Sequence, residues 1–285
     1  MTGETIDTFS YAESSDPRLK RFIIRMIERM TGQPYLKSLY DDRFARRLPG
    51  ESFWNLAIRL LDLKVVTNED ALARIPRTGP LVVVANHPFG VLDGVIICHL
   101  VARVRGDFQI LTNAVLNRAD EVKEFLLPVD FAETEQALQT NLKSRAAAKH
   151  LLLNGGCLIV FPAGAVATTP KVWDRTAVDA EWKNLTARLI LQGKAPVVPV
   201  FFAGQNSHLF QLASHLSMTL RLSLLFREVR DNVGGEVVVR IGEVIPFEVL
   251  SKIEDRQQPM NTLREATYAL GKDLPKKRKR AKSKA

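Results

Sequence analysis

Cysteine is nearly absent from this chain of 285 residues, and the two present, Cys98 and Cys157, both sit inside apolar runs. Such thiols are expected to be buried and free, which fits a reducing compartment and offers neither a disulfide framework nor a catalytic cysteine. Also missing is an uninterrupted apolar stretch of about 18 residues, the length a spanning helix needs. The most apolar segment, Leu81 to Val101, is broken by Asn86, His87, Pro88 and Asp93, so any membrane contact is expected to be peripheral. The opening stretch Met1 to Asp16 is polar and acidic, without a charged start or an apolar centre, and no signal peptide is expected. Reaction signatures are missing too. There is no Gly-x-Ser-x-Gly elbow, no Gly-x-x-x-x-Gly-Lys-Ser/Thr phosphate loop, no Gly-x-Gly-x-x-Gly fingerprint, no Cys-x-x-Cys pair and no His-Glu-x-x-His site, which withdraws support from serine hydrolases, nucleotide enzymes and zinc proteins. No internal repeat is found, and no metal site is expected.

What is present is enough apolar sequence, 46% of residues, for one large α/β domain or two small ones. The formal charge of +9 is unevenly placed: Lys276 to Ala285 holds seven Lys or Arg and no acid, so the rest of the chain carries +2. A basic tail of this kind suits solvated disorder, nucleic acid or anionic lipid, and by itself chooses none of them.

The chain is organised around Leu81 to Gly94, LVVVANHPFGVLDG. Leu81 to Ala85 is a short apolar run of the kind that forms a strand buried on both faces, and it stops against Asn86-His87-Pro88. After the turn residues Pro88 and Gly90, Asp93 stands at the start of an apolar helix. Strand, tight loop and helix therefore deliver His87 and Asp93 to one end of a buried strand. A histidine titrates near neutrality, and a carboxylate on its other nitrogen fixes the tautomer, so the pair can take a proton from a hydroxyl. The plainer alternative is that Asp93 only caps the helix.

Further along, Cys157 to Phe161 is expected to be a second buried strand ending at Pro162-Ala163-Gly164. Ligands of open α/β sheets sit outside the carboxyl ends of strands, so this loop and the His87 loop are natural neighbours. Thr168, Thr169, Lys171 and Arg175 follow and could receive an anionic group. Strands are also expected at Phe108 to Leu111, Val197 to Phe202 and Glu236 to Ile241. Helices are expected over Glu133 to Leu153, Glu181 to Gln192 and, as one or two, His208 to Phe226, with Val122 to Phe131 as a helix end and loop. His208 and His215 are assigned to helix packing or surface. Near the start, Leu19, Phe22, Ile23, Met26, Ile27 and Met30 recur at helical spacing beside Arg18, Lys20, Arg21, Arg25 and Arg29, a basic amphipathic helix whose stripe suits either domain packing or a lipid surface. Phe53 to Leu63 is a second amphipathic segment, and Pro76, Gly79 and Pro80 mark a loop. Strands separated by helices imply an α/β fold. The expected division is an N-terminal helical segment, 1–70, a core domain, 71–250, and a C-terminal helix and basic tail, 251–285.

The run Asn86-His87-Pro88-Phe89-Gly90-Val91-Leu92-Asp93-Gly94 resembles the first motif of the glycerolipid acyltransferases related to 1-acylglycerol-3-phosphate acyltransferase, in their hemolysin-like and lyso-ornithine-lipid acyltransferase branch. Phe161-Pro162-Ala163-Gly164 resembles the family's Phe-Pro-x-Gly block, and Ala195 to Val200 its late proline block, in the same order. The resemblance implies a central mixed, mostly parallel sheet flanked by helices, with an N-terminal helical extension. It implies transfer of a fatty acyl group from acyl-CoA or acyl carrier protein, used as co-substrate with no bound cofactor, to the hydroxyl of a lysolipid, either lysophosphatidic acid or a lyso-ornithine type. His87 is then the general base and Asp93 its orienting acid. Asn86, Gly90, Arg118, Phe161, Pro162, Gly164, Lys171 and Arg175 become substrate-binding candidates, and N–H groups of the Gly90 and Gly164 loops candidate oxyanion donors. The setting implied is cytoplasmic, on the inner face of the cell membrane and against its anionic surface, with nucleic acid an improbable partner. The chain departs from the family in three places. Five residues rather than four separate His87 from Asp93, Ala163 and Ala165 stand where a Glu is usual, and Phe131 stands where an Arg usually follows Asp130. The last two departures point to an acceptor other than lysophosphatidic acid. A catalytically silent protein that binds anionic lipid or nucleic acid through its tail is the reading from another class.

Overall fold

The structure, a computed structural model, describes residues 18–113, 120–252 and 258–274. The acidic N-terminal stretch, Arg118 and the basic tail lie outside them. Four helices come first, α1 (Arg18–Met30), α2 (Gln33–Asp41), α3 (Arg43–Arg46) and α4 (Phe53–Leu60), followed by β1 (Lys64–Val66) and α5 (Glu69–Ala73). Then come β2 (Leu81–Ala85), α6 (Val91–Ala102), β3 (Phe108–Asn113), β4 (Leu126–Val129), α7 (Glu135–Leu153), β5 (Cys157–Val160), α8 (Leu185–Gly193) and β6 (Val197–Ala203). The described chain ends with α9 (His208–Leu216), α10 (Met218–Asn232), β7 (Glu236–Ile241), α11 (Phe247–Ser251) and α12 (Gln258–Ala269).

The strands form one sheet in the order β1-β7-β6-β2-β5-β3-β4, in which only the β6–β7 pairing is antiparallel. This is the mixed, mostly parallel α/β sheet that the sequence led us to expect. Its centre explains the continuous apolar run of β2. Leu81, Val83 and Ala85 enter the core that also holds Ile96 and Ile97 of α6, while Val82 and Val84 enter the opposite core with Leu152 and Ile190. Alternate side chains of a strand point to opposite faces, so a strand covered on both sides must be apolar throughout.

Two details differ from expectation and two more fill in what the sequence left open. Val122 to Phe131 is not a helix end and loop: a 3-10 turn over Asp120–Phe125 leads into β4, which pairs parallel with β3. Only one edge of β4 needs partners, so it tolerates Pro128. At the other end of the sheet β1, three residues long, follows α4 and pairs parallel with β7. Helix α8 starts at Leu185 rather than Glu181, because the Lys183 N–H is donated to Pro162 O and the Trp182 indole to Asp179. Finally, the apolar stripe of α1, left open between packing and a lipid surface, is divided: Ile27 packs against the cluster of Phe210, Leu224 and Leu225, and other members face solvent. Ile24 and Glu28 are buried, whereas Phe22 is 65% and Met30 76% exposed, with Leu19 and Met26 also open to solvent.

One buried cation fastens the opposite ends of the strands. Arg105 donates to Pro76 O, Gly79 O and Gly155 O and holds Asp107 at 2.6 Å, tying together the turns that precede β2, β3 and β5.

Candidate functional site

β2, β3, β4, β5 and β6 run parallel, so their carboxyl ends share one edge of the sheet. The loop that leaves β2 there is held from several sides. Asn86 is buried, with its amide nitrogen donating to Phe202 O at 3.0 Å and its oxygen accepting from Phe202 N at 2.7 Å. Its side chain extends the strand ladder onto β6, so Asn86 braces the loop with the atoms expected to meet substrate. Gly90 has φ 78°, and a Cβ there would lie 3.2 Å from both Leu225 and Val166, so the turn requires glycine in conformation and in space.

Asp93, the third residue of α6, is fully buried, and its Oδ2 accepts the N–H groups of Phe89 and Gly90 at 2.8 and 2.9 Å. The same oxygen lies 3.0 Å from His87 Nδ1. Asp93 is therefore both the cap of α6 and the acid beside the histidine. The ring N–H is close to that oxygen but not aligned with it for a hydrogen bond. Catalytic bonds of this kind tighten when the reacting complex forms. Burial pushes the Asp93 carboxyl up from its ordinary value, while His87 and the two backbone N–H groups pull it down.

The second loop completes the setting of His87. Phe161, the residue after β5, stacks on the imidazole with ring centroids 4.1 Å apart and planes 24° apart. The His87 carbonyl accepts from Ala167 N at 2.7 Å, and the His87 N–H is donated to Asp179 Oδ1 at 3.1 Å. Asp179, buried, accepts the Trp182 indole N–H at 2.9 Å with its other oxygen.

The remaining expected residues spread over this neighbourhood with unequal roles. Pro162 is buried and accepts the Lys183 N–H at its carbonyl, and Gly164 turns at φ 69° with the Lys183 ammonium just beyond it. Three N–H groups of the loops expected to meet an oxyanion are already used: Phe89 and Gly90 donate to Asp93, and Gly164 donates to Phe161 O at 3.0 Å. Thr169 does not await an anion either, since it is buried with its hydroxyl 3.0 Å from His215 Nε2 and its N–H on Gln211. Lys171 and Arg175 are exposed on a loop closed by the Thr168–Val178 bridge, with Lys171 5.8 Å from the Trp173 ring centroid. Among the described residues no group of three or more His, Cys, Asp or Glu is placed to hold a metal ion.

Residues 11–276 match the profile of a family described as "Acyltransferase". The chain belongs to that acyltransferase family. It is similar to two proteins named lyso-glycine lipid O-acyltransferase, from Phocaeicola vulgatus and Bacteroides thetaiotaomicron. Each is 23% identical and aligned over 88% of this chain, and the alignments cover 88% and 91% of those proteins respectively. It also resembles the crystal structure of the 1-acyl-sn-glycerophosphate acyltransferase of Thermotoga maritima at 16% identity, covering 90% of this chain and 83% of that one with a TM-score of 0.48. For an acyltransferase, the residues that sequence reasoning passed over are Asp179, Trp182 and Lys183. Asp179 lies just before the segment read as a helix and Trp182 and Lys183 at its start, where an Asp-x-x-Trp spacing carries no signal until the chain folds back to the His87 main chain.

Proposed function

We propose that this acyltransferase moves a fatty acyl group from an acyl thioester, acyl-CoA or acyl carrier protein, to the hydroxyl of a lysolipid, with His87 as general base. The observation that carries the reading is the 3.0 Å contact between His87 Nδ1 and the buried Asp93 at the carboxyl end of a central parallel strand. His87 Nε2 takes the acceptor hydroxyl proton, the oxygen forms the ester bond to the thioester carbonyl carbon, and the C–S bond breaks. The imidazolium returns its proton to the leaving thiolate. Asp93 stabilises the imidazolium between these transfers. The thioester arrives activated, so no acyl-enzyme and no bound cofactor is required.

An apolar pocket of about 150 Å³ lies beside this loop, lined among others by Leu36, Phe53, Val91, Leu225 and Val229. Val91 follows Gly90 directly, and its place in the pocket lining supports assigning the pocket to the acyl chain. A lyso-aminolipid acceptor fits better than lysophosphatidic acid. Ala163 and Ala165 leave the Phe-Pro-Ala-Gly block without an acid, and the two bacterial relatives are named for a lyso-glycine lipid.

The enzyme works, in this reading, from the inner face of the cell membrane. Among the described residues no helix is long and apolar enough to cross a membrane. Instead apolar side chains stand in solvent on α1, on α9 through Leu209, Leu212 and Leu216, and at the loop tip through Trp173, 76% exposed. Arg18, Arg25, Arg29, Lys171 and Arg175, all exposed, flank them with positive charge suited to an anionic leaflet. A silent lipid- or nucleic-acid-binding protein would have no use for the buried His87–Asp93 pair. The test is purified protein with acyl-CoA or acyl carrier protein and a panel of lysolipids, followed by thiol release and lipid mass spectrometry. A diacyl product formed by the natural protein and not by His87→Ala is expected; equal product from both rejects the base.

A further inference from the structure

We infer that Asp179 is a positioning residue of the reaction, holding the main chain of His87 in place and adding a negative charge that favours its imidazolium. This rests on His87 being the base. The His87 peptide is clamped at both ends by one segment, its N–H by Asp179 Oδ1 at 3.1 Å and its carbonyl by Ala167 N at 2.7 Å. The segment is closed on itself by the Thr168–Val178 bridge, so Asp179 sits next to a fixed point. A main-chain clamp of this kind sets where the imidazole starts, whereas Asp93 and the Phe161 ring set how it is turned.

Asp179 is itself held by four partners, a large investment for a residue in a loop. Its two oxygens accept from His87 N–H and from the fully buried Trp182 indole. Its own N–H is donated to the Tyr268 hydroxyl at 2.8 Å, and its carbonyl accepts from Arg264 at 3.1 Å. The C-terminal helix α12 therefore braces the reaction centre through Asp179. Both carboxylate oxygens act as acceptors, an arrangement that suits the ionised form, whose oxygens only accept. Burial pushes the carboxyl up, and the Trp182 indole, the His87 N–H and the His87 ring pull it down against the charge of Asp93. The charged or titratable groups around it are thus His87 and Asp93 on the first loop and Arg264 and Tyr268 on α12.

Asp179→Asn separates this role from simple structural support. An amide keeps one acceptor but presents N–H to a second N–H donor and removes the negative charge. The expected result is a kcat about 100-fold lower, the usual cost of a base displaced by about 1 Å, with KM for the thioester unchanged. The acid limb of the kcat/KM profile should move to lower pH, because a neutral neighbour no longer favours the protonated base. A folded Asp179→Asn enzyme with natural kcat and an unmoved acid limb overturns the inference. If that variant does not fold, the decision passes to Trp182→Phe, which leaves the carboxylate and removes one donor: a lowered kcat at unchanged KM supports the inference, and a natural kcat overturns it. His87→Ala run in parallel keeps the two failures distinct, since an active His87→Ala enzyme refutes the base itself, whereas an inactive one beside a natural Asp179→Asn refutes only the clamp.

Discussion

His87 lies nearly flat against Phe161, 4.1 Å between ring centroids, so the first motif and the Phe-Pro-Ala-Gly block meet through two rings rather than across open space. Stacking fixes the ring plane, and within that plane Nδ1 is turned toward Asp93 Oδ2, 3.0 Å away. His87→Ala is expected to lower turnover by about 2–4 orders of magnitude, the range for a positioned proton acceptor, and to leave the fold intact. Asp93→Asn should lower kcat with little change in KM, because the amide still accepts from the Phe89 and Gly90 N–H groups and so still caps α6. Near-natural turnover by Asp93→Asn would leave Asp93 as a cap alone.

The missing acid of the Phe-Pro-Ala-Gly block can be restored at only one of its two positions. Ala163 is buried among Val160 and Trp182, where a carboxylate would enter an apolar core, but Ala165 is exposed. Ala165→Glu is therefore expected to fold normally and to change the order of preference among lysolipid acceptors, leaving KM for the thioester as it was. Acceptor competition read by mass spectrometry checks this, and an unchanged order would free the block from acceptor choice.

The parts of this arrangement that were legible in the sequence are those encoded locally. β2 and β5 announce themselves because a strand covered on both faces must be apolar at every position, and His87 and Asp93 lie within one turn of each other in the chain. The edge strands β1 and β4 were not legible: three or four residues paired on one side carry no run, and β4 contains a proline. Asp179 was hidden for another reason. It reaches His87 through a main-chain N–H, and a backbone partner leaves no residue type to look for. The stripe of α1 was visible as a stripe, but periodicity says which residues share a face and not what that face meets. The structure packs Ile24 and Glu28 inward and leaves Leu19, Phe22, Met26 and Met30 outside.

Acid stability is expected to depend on Asp107. Its hydrogen bond to Arg105 holds the carboxyl below the ordinary range, against the upward push of burial. A depressed carboxyl contributes stability that is present above its unfolded value, about 3.9, and is lost as pH falls through the lower folded value. Asp93, Asp179 and Glu228 are shifted upward, so their protonation favours the folded state and has the opposite sign. Melting temperature followed from pH 6 to pH 3 should therefore fall less steeply for Asp107→Asn than for the natural protein, with a lower starting value. Arg105→Met should cost more, about 3 kcal/mol, since three backbone carbonyls lose their donor as well.

Attraction to a membrane should divide into two contributions that salt can separate. Full burial of a Leu, Phe or Met side chain yields about 1.5–3 kcal/mol and does not depend on ionic strength. Each Lys or Arg near an anionic leaflet contributes about 1 kcal/mol, screened beyond about 8 Å at physiological salt. Replacing Leu19, Phe22 and Met26 by Ser should thus weaken vesicle binding at every salt concentration. The melting temperature should stay unchanged, because these side chains are already exposed. Deleting Lys276 to Ala285 should weaken binding to anionic vesicles at low salt, flatten the salt dependence and spare turnover of detergent-dispersed substrate. Vesicle sedimentation over a salt series, with neutral and anionic lipid compared, reads both effects. If the α1 triple variant bound as tightly as the natural protein at high salt, the exposed stripe would serve some contact other than lipid, and the tail would have to account for all membrane attraction at low salt.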